Sequence, residues 1–453
     1  MLKLMCKQSA FLQAAKTVGI TEYNQVDKIS FITRTYISYH SEKEQKQGGN
    51  EMKNRPKKQK KDQWQRWVVK GFLLFIGGVC GLLMVPFIEQ GADADRSLYE
   101  ALLTLAGLLF GMYISIFAHM IIHEAGHLVF GLKSGYQFSS FRIGNFMWLK
   151  ENGKLVHKKL HIAGTGGQCL MIPPEMKDGK IPVIAYNLGG SIMNLIASSA
   201  FFCLYLCLPA ESAASVLCLI AAIIGVMLAL MNGIPMRTGT VDNDGYNALS
   251  LGKSKDAMRA FWIQLKVNEQ ITMGIRLKDM PDEWFAVLAD EAMQNSMVAT
   301  QAVFATNRLM DQQRFEEADQ LIAHLLEIDS GIGGLYRSLM ICDRVYCELI
   351  RENRKEILDK MLTKEQLKFM KAMKKFPSVV RTEYAYALLS VQHKPKAKAI
   401  LELFEKIAKT YPYPNEIQSE RELIQIAQET AENSTDEPDL WAQYDYLSRK
   451  NRD

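Results

Sequence analysis

Long apolar runs dominate the first half of the chain. Each approaches or exceeds the ~18 residues that a helix needs to cross a ~30 Å hydrocarbon layer. These uncharged runs cover residues 71–88, 101–122, 181–210 and 212–235. The pattern therefore predicts four transmembrane helices. After Leu249 the chain becomes charged and its apolar residues follow a helical period, so a separate α-helical region is predicted there.

The predicted fold is mainly α, a polytopic membrane protein in three parts. Residues 1–66 form a basic tail, residues 67–249 a membrane domain with four spans, and residues 250–453 a cytoplasmic helical domain. Residues 1–51 hold no apolar run, and KQGGNE before Met52 could be encoded with a purine-rich ribosome-binding sequence. We therefore expect translation to begin at Met52.

Lysine and arginine set the predicted orientation. They are frequent in KNRPKKQKKDQWQR (53–66) and in the 133–181 connection, whereas the loops 89–97 and 209–212 share one arginine. By the positive-inside rule both termini and the 133–181 connection are cytoplasmic, and the expected location is the bacterial cytoplasmic membrane. The net charge of +5 is then explained by topology and by contact with the lipid bilayer, so nucleic acid is not an expected partner.

The C-terminal region carries a recurring helical pattern. RFEEADQLIAHLLEID (314–329) resembles the second half of a tetratricopeptide repeat, and related segments follow at 352–370 and 394–412. The spacing is near forty residues, which predicts stacked helical hairpins with a surface for a protein partner. The alternative is a helical cap that only braces the membrane domain.

Ionisable residues interrupt the second apolar run at HMIIHEAGHLVF (119–130). Such groups are costly within a bilayer and therefore indicate a functional site. HEAGH fits H-E-x-x-H, which places His123 and His127 one turn apart on one helix face, where both can bind Zn²⁺. Glu124 beside them can act as general base. The alternative is a polar cluster satisfied by hydrogen bonds between helices.

Two histidines leave a catalytic zinc site one protein ligand short. The fourth apolar run continues into MNGIPMRTGTVDNDGYNA (231–248), which offers Asp242 and Asp244 on the predicted cytoplasmic side. His119 lies one turn before His123, too far along the axis to share an ideal metal position with both other histidines. We expect it to support a ligand or to line the approach to the metal, with a packed histidine as the alternative.

A β-hairpin is predicted between the second and third spans. FMWLK (146–150) and KLVHKKLHI (154–162) flank Asn152-Gly153, a strong signal for a tight turn. A helical substrate must be drawn into an extended form before it can be cut, and a sheet edge near the metal could do this by strand addition. The alternative is a hairpin with no catalytic role.

Several motifs resemble those of the site-2 protease family of intramembrane zinc metalloproteases. HEAGHLVFGLKSGYQFSSFRIG (123–144) is similar to its opening motif, and GTGGQCLM (164–171) to its glycine-pair segment. GGSIMNLIAS (189–198) is similar to its second-helix motif, and NGIP (232–235) with DNDG (242–245) to its third-helix elements. The likeness covers about 120–250 and implies a three-helix catalytic core, to which the first predicted span is an addition.

The resemblance implies roles for single residues. His123, His127 and Asp244 would be zinc ligands, Glu124 the general base, and Asn194 a substrate-positioning group, a role that we also expect for His119. The implied activity is hydrolysis of membrane-anchored proteins or precursor and signal peptides. Two alternatives are a membrane peptidase that matures one small secreted peptide, such as a pheromone or bacteriocin, and an inactive scaffold whose C-terminal helices recruit partners.

Overall fold

The structure is a computed structural model. It describes residues 71, 74–85, 98–151, 153–162, 166–209, 212–236, 242–252 and 254–435. The predicted basic tail 1–66 and the predicted start at Met52 lie outside the described residues.

Three helices are long and apolar enough to cross a membrane. They are α2 (Leu98–Lys133), α3 (Ile184–Cys207) and α4 (Ala213–Gly233). The last three predicted spans are thus confirmed as helices of the required length and composition. Within the first predicted span the described helix, α1 (Leu74–Val85), has fewer residues than a span needs, so the fourth span stays a prediction.

Glycines allow the long helices to approach each other closely. A methyl group at Gly189 of α3 would lie 2.6 Å from the carbonyl oxygen of Gly126 in α2. Small residues at such crossings let helix backbones touch, which is the usual way helices pack in lipid. α1 packs on α2 and α4 through a cluster that includes Cys80, Leu108 and Ile220.

A four-stranded antiparallel sheet connects α2 to α3, with the order β3-β2-β1-β4. Its strands are β1 (Gln137–Ile143), β2 (Phe146–Glu151), β3 (Lys154–Lys159) and β4 (Gly167–Ile172). The predicted hairpin is confirmed as β2–β3, and Gly153 in its turn has φ 78°. β1 and β4 were not predicted. They pair with each other, so β4 forms the edge of the sheet opposite to the hairpin.

The sheet is packed on both faces. Cys169 on β4 meets α3, where the Tyr186 hydroxyl donates a hydrogen bond of 2.8 Å to its carbonyl oxygen. On the opposite face Met147 of β2 is buried in a hydrophobic core that it shares with residues such as Ile263 and Phe404. The sheet is therefore held between the apolar helices and the helices that follow Leu249.

The region after Leu249 is helical, as predicted. The α-helices that follow α4 are α5 (Asp244–Leu251), α6 (Lys255–Thr272), α7 (Ser296–Asp311), α8 (Phe315–Glu327), α9 (Gly334–Ile350), α10 (Lys355–Met361), α11 (Lys364–Ala372), α12 (Pro377–Ala385), α13 (Lys394–Ala408) and α14 (Pro414–Thr435). Three short 3-10 helices lie between α6 and α7, at Leu277–Asp279, Asp282–Phe285 and Ala292–Gln294. The segments 314–329 and 394–412 contain α8 and α13, while 352–370 is divided between α10 and α11. The tetratricopeptide-like repeat itself stays a prediction.

Candidate metal centre

One face of α2 presents the three residues of the HEAGH motif to the interior. His123, Glu124 and His127 each expose only 8% of their surface. Because four residues make about one helical turn, the two imidazoles lie above one another on the same face. The motif is therefore placed on a continuous helix, as its spacing requires.

Asp244 is brought to these histidines by a tightly bonded loop at the end of α4. Asn243 caps α5 by accepting a hydrogen bond from the Tyr246 amide, and its side-chain NH₂ donates to the carbonyl oxygens of Met231 and Ile234. A methyl group at Gly245 would collide with the Gly233 carbonyl, so α5 can approach α4 this closely only with glycine there. The carboxylate of Asp244 consequently projects towards α2.

Three potential ligand atoms converge. The Nε2 atom of His123 lies 3.0 Å from Asp244 Oδ2 and 3.1 Å from His127 Nε2, and His127 Nε2 lies 3.4 Å from the same carboxylate oxygen. Ligands of a tetrahedral Zn²⁺ with bonds of ~2.0–2.1 Å are separated by about 3.3 Å. Among the described residues His123, His127 and Asp244 form a possible metal-binding group, which does not include Asp242.

The Tyr186 carbonyl group determines which ring nitrogen of His127 carries the hydrogen in the neutral imidazole. Nδ1 lies 2.8 Å from the carbonyl oxygen of Tyr186, which can only accept, so Nδ1 carries the hydrogen. In the neutral ring Nε2 then has a free lone pair directed at His123 and Asp244. A backbone carbonyl that orients a histidine in this way is the usual support of a metal ligand.

Asp244 contributes the negative charge of the group. Burial by itself would raise the pKa of its carboxyl group. In the metal-free site, hydrogen bonds from protonated His123 and His127 and the charges of these rings outweigh this effect and lower the pKa to about 2. The side chain is therefore ionised at neutral pH. Two imidazoles and one carboxylate are a donor set suited to a divalent transition metal such as Zn²⁺.

Asn194 and His119 lie behind the ligands and are fully buried. The Asn194 amide is 3.4 Å from His123 Nδ1 through its nitrogen and 3.2 Å from His119 Nδ1 through its oxygen. If His123 binds a metal through Nε2, its ring hydrogen is on Nδ1. Turning the Asn194 side-chain amide by 180° exchanges its nitrogen and oxygen, so that the oxygen accepts this hydrogen and no other atom has to move. Both residues are thus in position to orient His123.

Two glycines shape the immediate surroundings. A methyl group at Gly167, the first residue of β4, would lie 2.5 Å from Glu124 Cγ and Oε1. One at Gly190 of α3 would lie 2.5 Å from His123 Cε1. Both belong to segments on which the family resemblance rests, GTGGQCLM and GGSIMNLIAS. The edge strand and α3 can approach Glu124 and His123 so closely because these positions lack side chains.

Sequence reasoning missed two groups near the centre. The Tyr186 carbonyl that orients His127 is a backbone atom, and no side-chain pattern marks it. Arg142 in β1 was counted only as a positive charge, although its place in the otherwise uncharged QFSSFRI is unusual for a buried strand. Comparisons with family models, curated proteins and solved structures found no match.

Proposed function

We propose that the protein is an intramembrane zinc metallopeptidase, related in mechanism to the site-2 proteases that its motifs resemble. The observation that carries the proposal is the convergence of His123, His127 and Asp244 beside Glu124. The first three supply the ligand atoms, and Glu124 supplies a carboxylate that belongs to none of the ligand contacts. The helix that carries the HEAGH motif is itself a candidate membrane span.

His123, His127 and Asp244 would hold the metal, with Tyr186 and Asn194 orienting the imidazoles. Bound Zn²⁺ would supply Lewis acidity towards a water molecule and towards the carbonyl group of the bond to be cut. Glu124 takes a proton from that water on its carboxylate and passes it to the leaving amine nitrogen. The burial of Glu124 excludes bulk water from this transfer.

The edge strand β4 offers a way to hold the substrate. A peptide in a helix keeps its carbonyl groups in hydrogen bonds, so it must be extended before hydrolysis. β4 pairs with β1 on one side and with no other described strand, and it begins at Gly167, next to Glu124. A peptide added to β4 would lie extended at the base. This edge differs from the one expected, because the hairpin β2–β3 forms the far side of the sheet.

The proposed substrates are membrane-anchored proteins or precursor peptides. Positive charge in the 133–181 connection supports a cytoplasmic sheet and a site near the cytoplasmic side of the membrane. In this arrangement the helices after Leu249 lie in the cytoplasm.

The decisive experiment compares the purified protein with its Glu124→Gln variant in detergent. Metal analysis should find about one zinc per chain in both. A fluorogenic collection of transmembrane and signal-peptide segments should contain at least one segment that the wild type cleaves and the variant does not. Cleavage by Glu124→Gln at the wild-type rate would refute the role of the base. Absence of zinc from both, with no cleavage, would favour the scaffold alternative.

A further inference from the structure

Arg142 is a charged side chain in the interior of the sheet. It exposes 1% of its surface and is among the largest fully buried side chains of the described residues. A buried guanidinium is costly unless hydrogen bonds satisfy it. The groups that Arg142 contacts should therefore indicate its role in the protein.

Arg142 donates hydrogen bonds to two backbone carbonyl groups, one just after β1 and one at the start of β4. The guanidinium donates from one NH₂ group to the oxygen of Gly144, at 2.8 Å, and from the other to the oxygen of Gly167, at 3.2 Å. The Gly144 amide in turn donates to the Gly166 oxygen at 2.8 Å. These bonds join the end of β1 to the beginning of β4.

Gly167, where Arg142 joins the two strands, lies against Glu124, the proposed general base. Gly167 accepts from Arg142 and is also the residue whose missing side chain makes room for the Glu124 carboxylate. Ile143, beside Arg142 in β1, pairs with Gly167 across the ladder. A displacement of this corner of the sheet would therefore move the edge strand relative to Glu124.

β1 also lies close to the segment between α13 and α14, and this second contact offers another explanation for the burial of Arg142. Tyr413, in the segment between α13 and α14, interacts electrostatically with Ser140. The nearby Thr410 oxygen accepts a hydrogen bond from the Lys159 amide at 3.0 Å. Arg142 also interacts electrostatically with Tyr413. If the main role of Arg142 were to hold this C-terminal segment, removal of the Tyr413 hydroxyl should lower the activity as much as a substitution of Arg142 does.

We propose that Arg142 is a positioning residue that sets the distance between the edge strand β4 and Glu124. By tying Gly144 and Gly167 together, it fixes where an extended peptide on β4 meets the base. The inference rests on the proposed peptidase function and deepens it, since it concerns the alignment of the substrate and leaves the metal ligands untouched.

The test uses Arg142→Lys in the full-length protein, because an ammonium group lacks the planar fork that reaches two carbonyl oxygens at once. Zinc per chain should stay near wild type. Amide hydrogen exchange in residues 166–172 should become faster and the thermal midpoint should fall, because a buried carbonyl oxygen loses its partner. With the reporter segment selected by the Glu124→Gln comparison, kcat per zinc-loaded molecule should fall by about 10- to 100-fold, the loss typical of misplaced reacting groups. KM should change much less.

Two control variants separate this role from general packing. Tyr413→Phe removes the hydroxyl that interacts with Ser140 and Arg142. Arg308→Lys alters another arginine that donates to several backbone carbonyl groups, those of Leu277, Lys278 and Met280. Both should keep the wild-type kcat and the wild-type exchange in 166–172. If Tyr413→Phe reproduces the loss of kcat, the proposal is overturned in favour of docking the C-terminal segment.

The other outcomes are equally distinct. Arg142→Lys with wild-type kcat and exchange overturns the inference while Glu124→Gln remains inactive, so the proposed function survives. Loss of zinc from Arg142→Lys also overturns it. Should that variant fail to fold, Gly167→Ala provides the same test, because its methyl group must push the strand and Glu124 apart. It should keep zinc and lose kcat, and retention of kcat counts against the proposal.

Discussion

Gly190, which lies against the ring of His123, allows a quantitative test of the proposed metal centre. In Gly190→Ala the new methyl carbon would lie 2.5 Å from Cε1 and 2.6 Å from both nitrogens of the His123 ring. Favourable non-bonded contacts between carbon atoms need about 3.5–4.0 Å. The imidazole must therefore move by roughly 1 Å, or α3 must withdraw from α2 by that distance.

A shift of this size is large for a metal ligand, since ligand distances in such sites hold within about 0.2 Å. We expect His123 to be lost from the group and zinc affinity to fall at least ~100-fold, equivalent to about 2.8 kcal/mol. The measurement is a competition titration of purified protein in detergent against a chromophoric zinc chelator. Thermal unfolding of the metal-free protein should accompany it.

Gly225→Ala is the matched control. Its methyl group would collide with the ring of His119 and with Ser198, so it also places a methyl group against an imidazole of α2 from a neighbouring helix. His119 is outside the ligand group and reaches His123 only through Asn194. This variant should therefore lose stability but no more than ~10-fold of zinc affinity. Wild-type zinc affinity in Gly190→Ala, or equal losses in the two variants, would refute the assignment of His123 as a ligand.

Two further predictions concern carboxyl groups. Asp244→Ala should lose most zinc affinity, whereas Asp242→Ala should lose at most ~10–100-fold, the range for a residue that only supports a ligand; the reverse order in the chelator titration would transfer the role to Asp242. Burial, with the charge of nearby Glu420, raises the pKa of Glu416 from 4.5 to about 7 despite a hydrogen bond from Tyr411. The folded protein then holds a proton that the unfolded chain releases, so the free energy of unfolding should fall as the pH rises from 4.5 to about 7. Glu416→Gln should remove this slope in thermal unfolding measured across that range, and parallel profiles would contradict the prediction.

Local patterns predicted the parts of the site that lie within one element. His123, Glu124 and His127 share a helix face because of their spacing alone, and the Asn-Gly turn marked the hairpin. Asp244 was chosen over Asp242 from its resemblance to a family motif and from the glycine after it. The close approach of Gly245 to Gly233 supplies the physical reason for that position.

The missed features depend on contacts between distant residues. β1 and β4 pair residues about thirty positions apart, and QFSSFRI has no clean alternation of apolar and polar residues to announce a strand. Without that pairing neither the edge next to Glu124 nor the role of Arg142 could be foreseen. The first apolar run was judged by length alone, and its described helix is shorter than the run.

Because the sheet packs between two sets of helices, its packing is completed late during synthesis of the chain. Glu124 and β4 leave the ribosome early, but Thr410, whose carbonyl oxygen bonds to β3, follows Gly167 by about 250 residues. At ~5–20 residues per second its synthesis takes roughly 12–50 s longer. During that interval the face of the sheet around Met147 lacks those of its covering helices that lie near Phe404. The packing of the sheet that carries Gly167 is thus completed only well after Glu124 and β4 have been synthesised.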